Sequence, residues 1–345
     1  MALRVARDAS FAAAAFARTG HVDDALDVLR FLARVQEDDG SFHARYLPDG
    51  SGVPDDRGLQ SDGVGWVLWA ADVVLAEAPA DDRAAVAAVL RPLVDACADH
   101  ALSLLAEASL PPASSDYWEV EPTSLTLGTA GPLLAGLEAA ADFYRLAGAD
   151  APSDRPAVVP ALAVDPGSAT GEATRAADAA LAATRARQGA AVGAAGRLRA
   201  AVEGAFGDQG YPRHVTGGAR DASTAFVLPP FQPEPLDGAH DAWLASVREM
   251  LRPAGGLAPG AGWREDGISW TPQTALYALA AASSSDPDDR ADAREWLRWL
   301  DEHRTASGAI PEKVLADGSP AAVAPLSWSS ALVVLALVEL EDAPR

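Results

Sequence analysis

Cysteine, lysine and methionine are nearly absent from this chain of 345 residues, which has one, one and two of them. The lone Cys97 excludes an internal disulfide and a cluster of thiolate metal ligands. The six histidines, at positions 21, 43, 100, 214, 240 and 303, show no short ligand spacing of the H-E-x-x-H kind, so neither a metal nor another cofactor is expected. Positive charge is scarce as well: 27 Lys and Arg stand against 49 Asp and Glu, a net charge of −22. Nucleic acids and anionic membrane surfaces call for basic patches, and both are excluded as partners. A neutral carbohydrate is indifferent to such a field. Because Lys313 is the only lysine, nearly all the positive charge is arginine, which reads as genome composition or salt adaptation. Long apolar runs are missing too. No stretch approaches the 18 or so residues of a membrane span. The FAAAAFA run near the N-terminus follows Asp8 and sits at the short limit for a signal peptide, so a cytoplasmic protein is expected.

What remains is helical. Apolar residues recur at helical spacing over 5–18, 21–36, 61–77, 82–106, 123–147, 171–206, 223–231, 238–252, from 268 onward, 286–304 and 326–341. Gly20 ends the first of these, and Asp286 with Pro287 opens the tenth as N-cap and first helical residue. Pro92 and Pro132 fall inside helices, and 148–170 is a Pro-, Ala- and Asp-rich surface excursion. Strand-like alternation is almost lacking. The rhythm is an Ala-rich helix after a long loop, then a charged amphipathic helix after a short turn. Helices apolar all round are buried, and helices with one polar face lie outside. That alternation predicts an all-α toroid of paired helices, an (α/α)6-type ring, as one domain over 1–345. A solenoid is the competing architecture, disfavoured because no repeat of fixed period is evident. In a ring the long loops gather at one end, where a site can be built.

Aromatics make up only 6% of the chain, yet nine of them are tryptophan, a side chain whose faces suit the apolar faces of sugar rings. The most informative stretch is Asp116-Tyr117-Trp118-Glu119, in a loop after Pro111-Pro112 and before a long helix. An apolar ring against a carboxyl group favours its protonated form, as a general acid requires. The plainer reading is an acidic cap for the helix that follows. Glu121 competes with Glu119 for the acid role. Glu265-Asp266 reads as a turn or rim feature. Acids also open the first inner-type helix, at Arg7-Asp8, and precede the last, at Glu312 in Gly308-Ala309-Ile310-Pro311-Glu312.

Taken in order, these fragments resemble the glucoamylase-like enzymes of glycoside hydrolase family 15 over nearly the whole length. Arg7-Asp8 resembles the family's R-D helix start, and Gln60-Ser61-Asp62-Gly63 its Q-x-D-G. Asp116-Tyr117-Trp118-Glu119 is similar to D-x-W-E, Ser269-Trp270-Thr271-Pro272 stands where N-P-W is found, and Leu326-Ser327-Trp328-Ser329 is similar to L-T-W-S. The resemblance implies eleven of the twelve helices of a six-hairpin glycosidase. It implies Glu119 as general acid and Glu312, in the G-x-x-x-E segment, as general base. Arg7 and Asp8 would grip the terminal sugar, and Trp118 and Trp270 would stack on it. The implied activity is inverting, exo-acting removal of glucose from malto- or isomalto-oligosaccharides or trehalose, without a cofactor. The alternatives are a non-catalytic sugar-binding or scaffold toroid, and a different sugar-active enzyme on the same ring.

Overall fold

The computed structural model describes residues 3–149 and 169–342, without the side chains of 169–174. The excursion expected at 148–170 lies almost wholly outside them. Ten α-helices and two short 3-10 helices occur among the described residues: α1 (Ala6–Arg18), α2 (Val22–Val35), α3 (Asp62–Glu77), α4 (Arg83–Leu104), α5 (Leu127–Ala149), α6 (Ala169–Phe206), 3-10 turns at Gly207–Gln209 and Ala222–Val227, α7 (Ala239–Met250), α8 (Thr271–Ala282), α9 (Pro287–Glu302) and α10 (Ser327–Asp342). Two classes of helix follow from composition. Every residue of α8 is buried, and α3 is buried continuously from Asp62 to Ala71. In contrast, α2 buries Ala25, Leu26, Leu29, Phe31, Leu32 and Val35 behind a charged face, and α9 buries only Asp289, Ala293 and Leu300. The first class must be enclosed and the second must face water.

The enclosed elements form a closed ring. α1 packs on α3, α3 on α5, α5 on the 222–227 turn, that turn on α8, α8 on α10, and α10 back on α1. Helices α2, α4, α6, α7 and α9 each cover the inner element that precedes them. Six inner and five outer elements make an (α/α)6 toroid with eleven of twelve members among the described residues. The fourth inner element is a 3-10 turn where the sequence predicts a helix over 223–231, because Pro229-Pro230 follows immediately and cannot continue one. Asp221 caps the turn by accepting from the Ser223 backbone N–H. Aromatics fill the interior. Phe11 of α1, Trp66 and Trp69 of α3, Phe226, Phe231 and Trp328 of α10 meet at centroid separations between 4.8 and 6.1 Å.

Among the described residues, the long loops 36–61, 105–126, 207–221, 251–268 and 303–326 each lead into the N-terminal end of an inner element, so they lie at one end of the ring, and they interlock. The 36–61 loop reaches the 105–126 loop where the Ser61 N–H donates to Ser114 Oγ (3.1 Å). The 105–126 loop meets the 207–221 loop through Leu127 N–H to Arg213 O (2.8 Å) and Val215 N–H to Leu125 O (2.9 Å). That pairing holds residues 125 and 126 extended, which is why α5 starts at Leu127 and not at the predicted 123. The 207–221 loop meets the 251–268 loop through Ala261 N–H to Arg220 O (2.9 Å), and the next contact joins Thr271 N–H to Glu312 O (3.0 Å). A three-stranded sheet, β1 (Ser269–Trp270), β2 (Lys313–Val314) and β3 (Pro320–Ala321), ties the last two loops together. Strands of two residues are too short to leave an alternating pattern in the sequence.

Candidate active site

The Asp116–Glu119 turn distributes four side chains in four directions. Asp116 turns inward: its carboxylate accepts from the Trp118 N–H (2.9 Å) and from Thr126 Oγ1 (2.8 Å), and sits so close to the first turn of α5 that a Cβ on Gly128 would lie 2.5 Å from it. Asp116 thus stands beside the start of α5, where the positive end of the helix dipole favours a carboxylate. Tyr117 enters the aromatic interior against Phe226 and Trp328 and donates its hydroxyl to Pro259 O (3.2 Å). Trp118 lies under the Arg213 guanidinium, 3.9 Å from its ring centroid. Glu119 is left at the outer end with a backbone φ of +54°, the left-handed region that a non-glycine residue enters at a cost of roughly 1 kcal/mol or more. Its N–H donates to Asp116 O (2.7 Å), which closes the turn. Strain of this kind concentrates where a side chain must be aimed.

The partners of Glu119 are cationic, where the sequence predicts an apolar indole. Arg45 and Arg57, both on the 36–61 loop, donate to its Oε2, and Arg45 Nε also reaches Oε1 (3.3 Å). Arg57 is shared with Asp55 (3.3 Å). An ionised carboxylate only accepts hydrogen bonds, and here it is occupied by two guanidinium groups. Glu121, the other acid considered, is exposed. Glu265 and Asp266 are exposed too, and Asp266 accepts from the Ile268 N–H in a turn, the rim role expected of that pair.

Deeper, at the first turns of α1 and α3, Arg7 is buried between carboxyl groups. Its Nη2 is 3.1 Å from Asp8 and its Nη1 is 3.8 Å from Asp62, while its guanidinium lies 4.4 Å from the Trp328 ring centroid. Burial pushes the Asp62 carboxyl up to about 7 against the opposing pull of Arg7, with Asp116 and Glu119 adding to the rise. Burial raises Asp8 as well, and there too Arg7 opposes. The field of Glu119 reaches Arg7, Asp8 and Asp62, so these four form one electrostatic unit.

Glu312 stands at the same end, on the far side of the belt of loops. Its carbonyl accepts from the first N–H of α8, its N–H donates to Val323 O (2.8 Å), and Thr271 Oγ1 contacts Ser329 Oγ (2.8 Å) beneath it. Its carboxylate is 4.0 Å from Lys313 Nζ. Lys313 faces Trp270 directly across the β1–β2 pair and places its ammonium 4.1 Å from that indole's centroid. Trp118 and Trp270, the two aromatics expected to stack on sugar, thus each carry a cation on the ring. Trp263 stands edge-on to both, at 4.7 and 5.6 Å.

Four residues of this end were not singled out by the sequence. Arg45, Arg57 and Trp263 sit in turn-rich loops with no local motif. Arg213 forms a buried ion triplet with Asp116 (2.8 Å) and Asp221 (2.5 Å), fastening the 105–126 loop to the 207–221 loop from 97 residues away. Two cavities lie away from these residues: one of about 240 Å³ beside Leu105–Ser109 and Arg197, and one of about 130 Å³ among Arg18, Trp69, Leu335 and Glu339, toward the C-terminal ends of the inner helices. Among the described residues no group of three or more His, Cys, Asp and Glu could hold a metal ion, and no helix is long and apolar enough to cross a membrane.

No protein-family model matches the chain, and no curated protein matches it. Solved structures do. A glycosidase variant in complex with glucose is 21% identical and superposes with a TM-score of 0.69 over 99% of this chain and 89% of its own. A bacterial glucoamylase complexed with acarbose is 18% identical with a TM-score of 0.65, over 98% of this chain and 49% of its own. The cellobiose 2-epimerase from Spirochaeta thermophila is 15% identical with a TM-score of 0.58, over 99% and 86%. The fold is thus the six-hairpin toroid of these glycosidase, glucoamylase and cellobiose 2-epimerase structures.

Proposed function

We propose that the protein is an inverting, exo-acting glycoside hydrolase that removes glucose from α-glucosides such as malto- and isomalto-oligosaccharides or trehalose. The support that carries most weight is that the Asp116–Glu119 turn and the Gly308–Glu312 segment both belong to the belt of loops at one end of the ring, where the inner helices begin. Those helix ends supply positive potential to a site rich in carboxyl groups. Glu119, once protonated, gives its proton to the glycosidic oxygen as the bond from that oxygen to the anomeric carbon breaks. Glu312 takes a proton from the water that attacks the same carbon from the opposite face. The products are glucose of inverted anomeric configuration and the shortened alcohol, and exchange with solvent restores both carboxyl groups. Arg7 and Asp8, at the first turn of α1, hold hydroxyls of the terminal sugar, and Trp118 and Trp270 border it.

A second reading, a sugar-binding toroid without turnover, draws on the cations that occupy Glu119, Trp118 and Trp270. The two separate cleanly in a panel of maltose, isomaltose and trehalose, followed by proton NMR of the released sugar and by calorimetry. The hydrolase reading expects β-glucose as first product, and a kcat lowered about 10²–10⁴-fold by Glu119→Gln or Glu312→Gln with unchanged thermal unfolding. Binding without product supports the second reading, and undiminished rates in both variants refute the first.

A further inference from the structure

We infer that Arg45 and Arg57 form a receptor for an oxyanion, a carboxylate or phosphate, on the leaving group of the substrate, so that the site is built for α-glucosides with an anionic aglycone. This rests on Glu119 being the acid of a glycoside hydrolase.

The first argument is charge balance. In a protein of net charge −22, two of the 26 arginines converge on one carboxylate at the mouth of the ring. While Glu119 accepts from both, it has no proton to give. When it carries the proton that catalysis needs, Arg57 keeps, among the described residues, the ion pair with Asp55, and Arg45 gives up its ion pair with Glu119. An anionic group arriving with the substrate takes the place of Glu119 on the two guanidinium forks, whose planar donor pairs match carboxylate and phosphate oxygens. A neutral glucoside offers no such exchange.

The second argument is position. Side-chain exposure rises steadily along one line of residues: Arg7 7%, Asp8 15%, Glu119 17%, Arg45 24% and Arg57 38%. The terminal sugar belongs at the closed end, by Arg7 and Asp8. The acid addresses the oxygen between sugar and aglycone, so the groups on its outer side meet the aglycone. Those groups are Arg45 and Arg57. Both sit on a loop whose other contacts hold it in place independently of Glu119, including Arg4 N–H to Tyr46 O (3.0 Å) and Ala44 N–H to Gly58 O (2.9 Å). The forks therefore stay in position when Glu119 lets go.

The experiment uses three synthetic probes: 3-carboxypropyl α-glucoside, its neutral methyl ester, and 3-phosphopropyl α-glucoside. Affinity is read by calorimetry on the full-length Glu312→Gln variant, which keeps the Arg45–Glu119–Arg57 contacts, and on the same variant carrying Arg45→Gln and Arg57→Gln. Hydrolysis is read on the wild-type protein. At least one anionic probe is expected to bind about 10-fold or more tighter than the ester, a preference the two arginine substitutions abolish while ester binding stays unchanged. The stronger of the carboxylate and phosphate arms identifies the oxyanion. Equal affinity for all three probes, or a preference that survives in the arginine variant, overturns the inference. Anion-selective binding with no hydrolysis of any probe supports the receptor and overturns the hydrolase reading. Hydrolysis of all three at equal rates, with equal affinities, does the reverse.

Discussion

Asp72, midway along α3 and away from the mouth, has its carboxyl pushed up to about 8 by burial, with Asp142 adding to the rise and Arg145 opposing it. Asp62, at the start of the same helix, moves in the same direction to about 7. In the unfolded chain both ionise near 4. The folded state therefore holds these protons over a window in which the unfolded state has lost them. The stability contributed by the neutral carboxyls is complete below about pH 4 and disappears as pH rises through 7 to 8. Asp72→Asn keeps the shape and removes the ionisation. It is expected to match the wild type at pH 4 and to exceed it at pH 9 by roughly 1–3 kcal/mol, read from urea unfolding midpoints at the two pH values. A difference of equal size at both values would show that the amide acts through packing instead. At this scale the sequence was informative about residue identity and silent about partners. Glu119 stands out in Asp-Tyr-Trp-Glu, but the arginines that hold it lie 62 and 74 positions upstream in a loop with no pattern. Ion pairs between loops depend on how a ring closes, which local spacing does not encode.

Among elements, the tightest contact is between α3 and α5. A Cβ on Gly65 would lie 2.0 Å from the carbonyl oxygen of Pro132, and one on Gly136 would lie 2.6 Å from the Gly65 Cα, so the two backbones touch with no side chain between them. Pro132, which lacks an N–H, sits inside α5 at this crossing. Gly65→Ala must push the helices apart and is expected to cost about 3 kcal/mol, seen as a lower urea midpoint. Gly189→Ala is the matched control. It lies in α6 with open space around its Cβ position, and alanine there is expected to stabilise by about 1 kcal/mol. If both substitutions had the same small effect, close approach would not be what selects glycine at 65. The helices themselves were readable, most within one or two residues of their ends, because one-sided burial leaves a 3.6-residue record and all-round burial leaves a long apolar run bounded by turn residues. The exceptions are places where a neighbouring segment dictates the backbone: the start of α5, held extended by 213–215, the start of α8, moved from the expected 268 to Thr271 by the pairing of β1 with β2, and the 222–227 turn, cut short by the two prolines.

At the scale of the whole molecule, the first and last described helices close the ring where α10 packs on α1, and Arg18 of α1 reaches Glu77, Glu339 and Asp342. The ring was legible from the alternation of enclosed and amphipathic helices. Which cations would sit on the mouth tryptophans was not, since the Lys313–Trp270 pair arises only from the register of two-residue strands.

Charge decides the remaining whole-molecule behaviour. With 49 acidic and 27 basic residues, each local ion pair works against a background of uncompensated negative charge. Exposed pairs such as Arg30–Asp27 and Arg298–Glu295 contribute roughly 0–1 kcal/mol each and are weakened by salt. Self-repulsion of the compact state acts over the whole surface and is screened too, since the Debye length falls from about 10 Å at 0.1 M to about 3 Å at 1 M. The excess of 22 negative charges has no partner to lose, so screening relieves more repulsion than attraction. Buried pairs such as Arg213 with Asp116 and Asp221 are little affected. The unfolding temperature is therefore expected to rise steadily between 0.05 and 1 M sodium chloride, measured by calorimetry at pH 7. A fall over that range would mean that the surface pairs outweigh the net charge. The rise should shrink at pH 4.5, close to the sequence pI of about 4.5, where the excess negative charge has been titrated away.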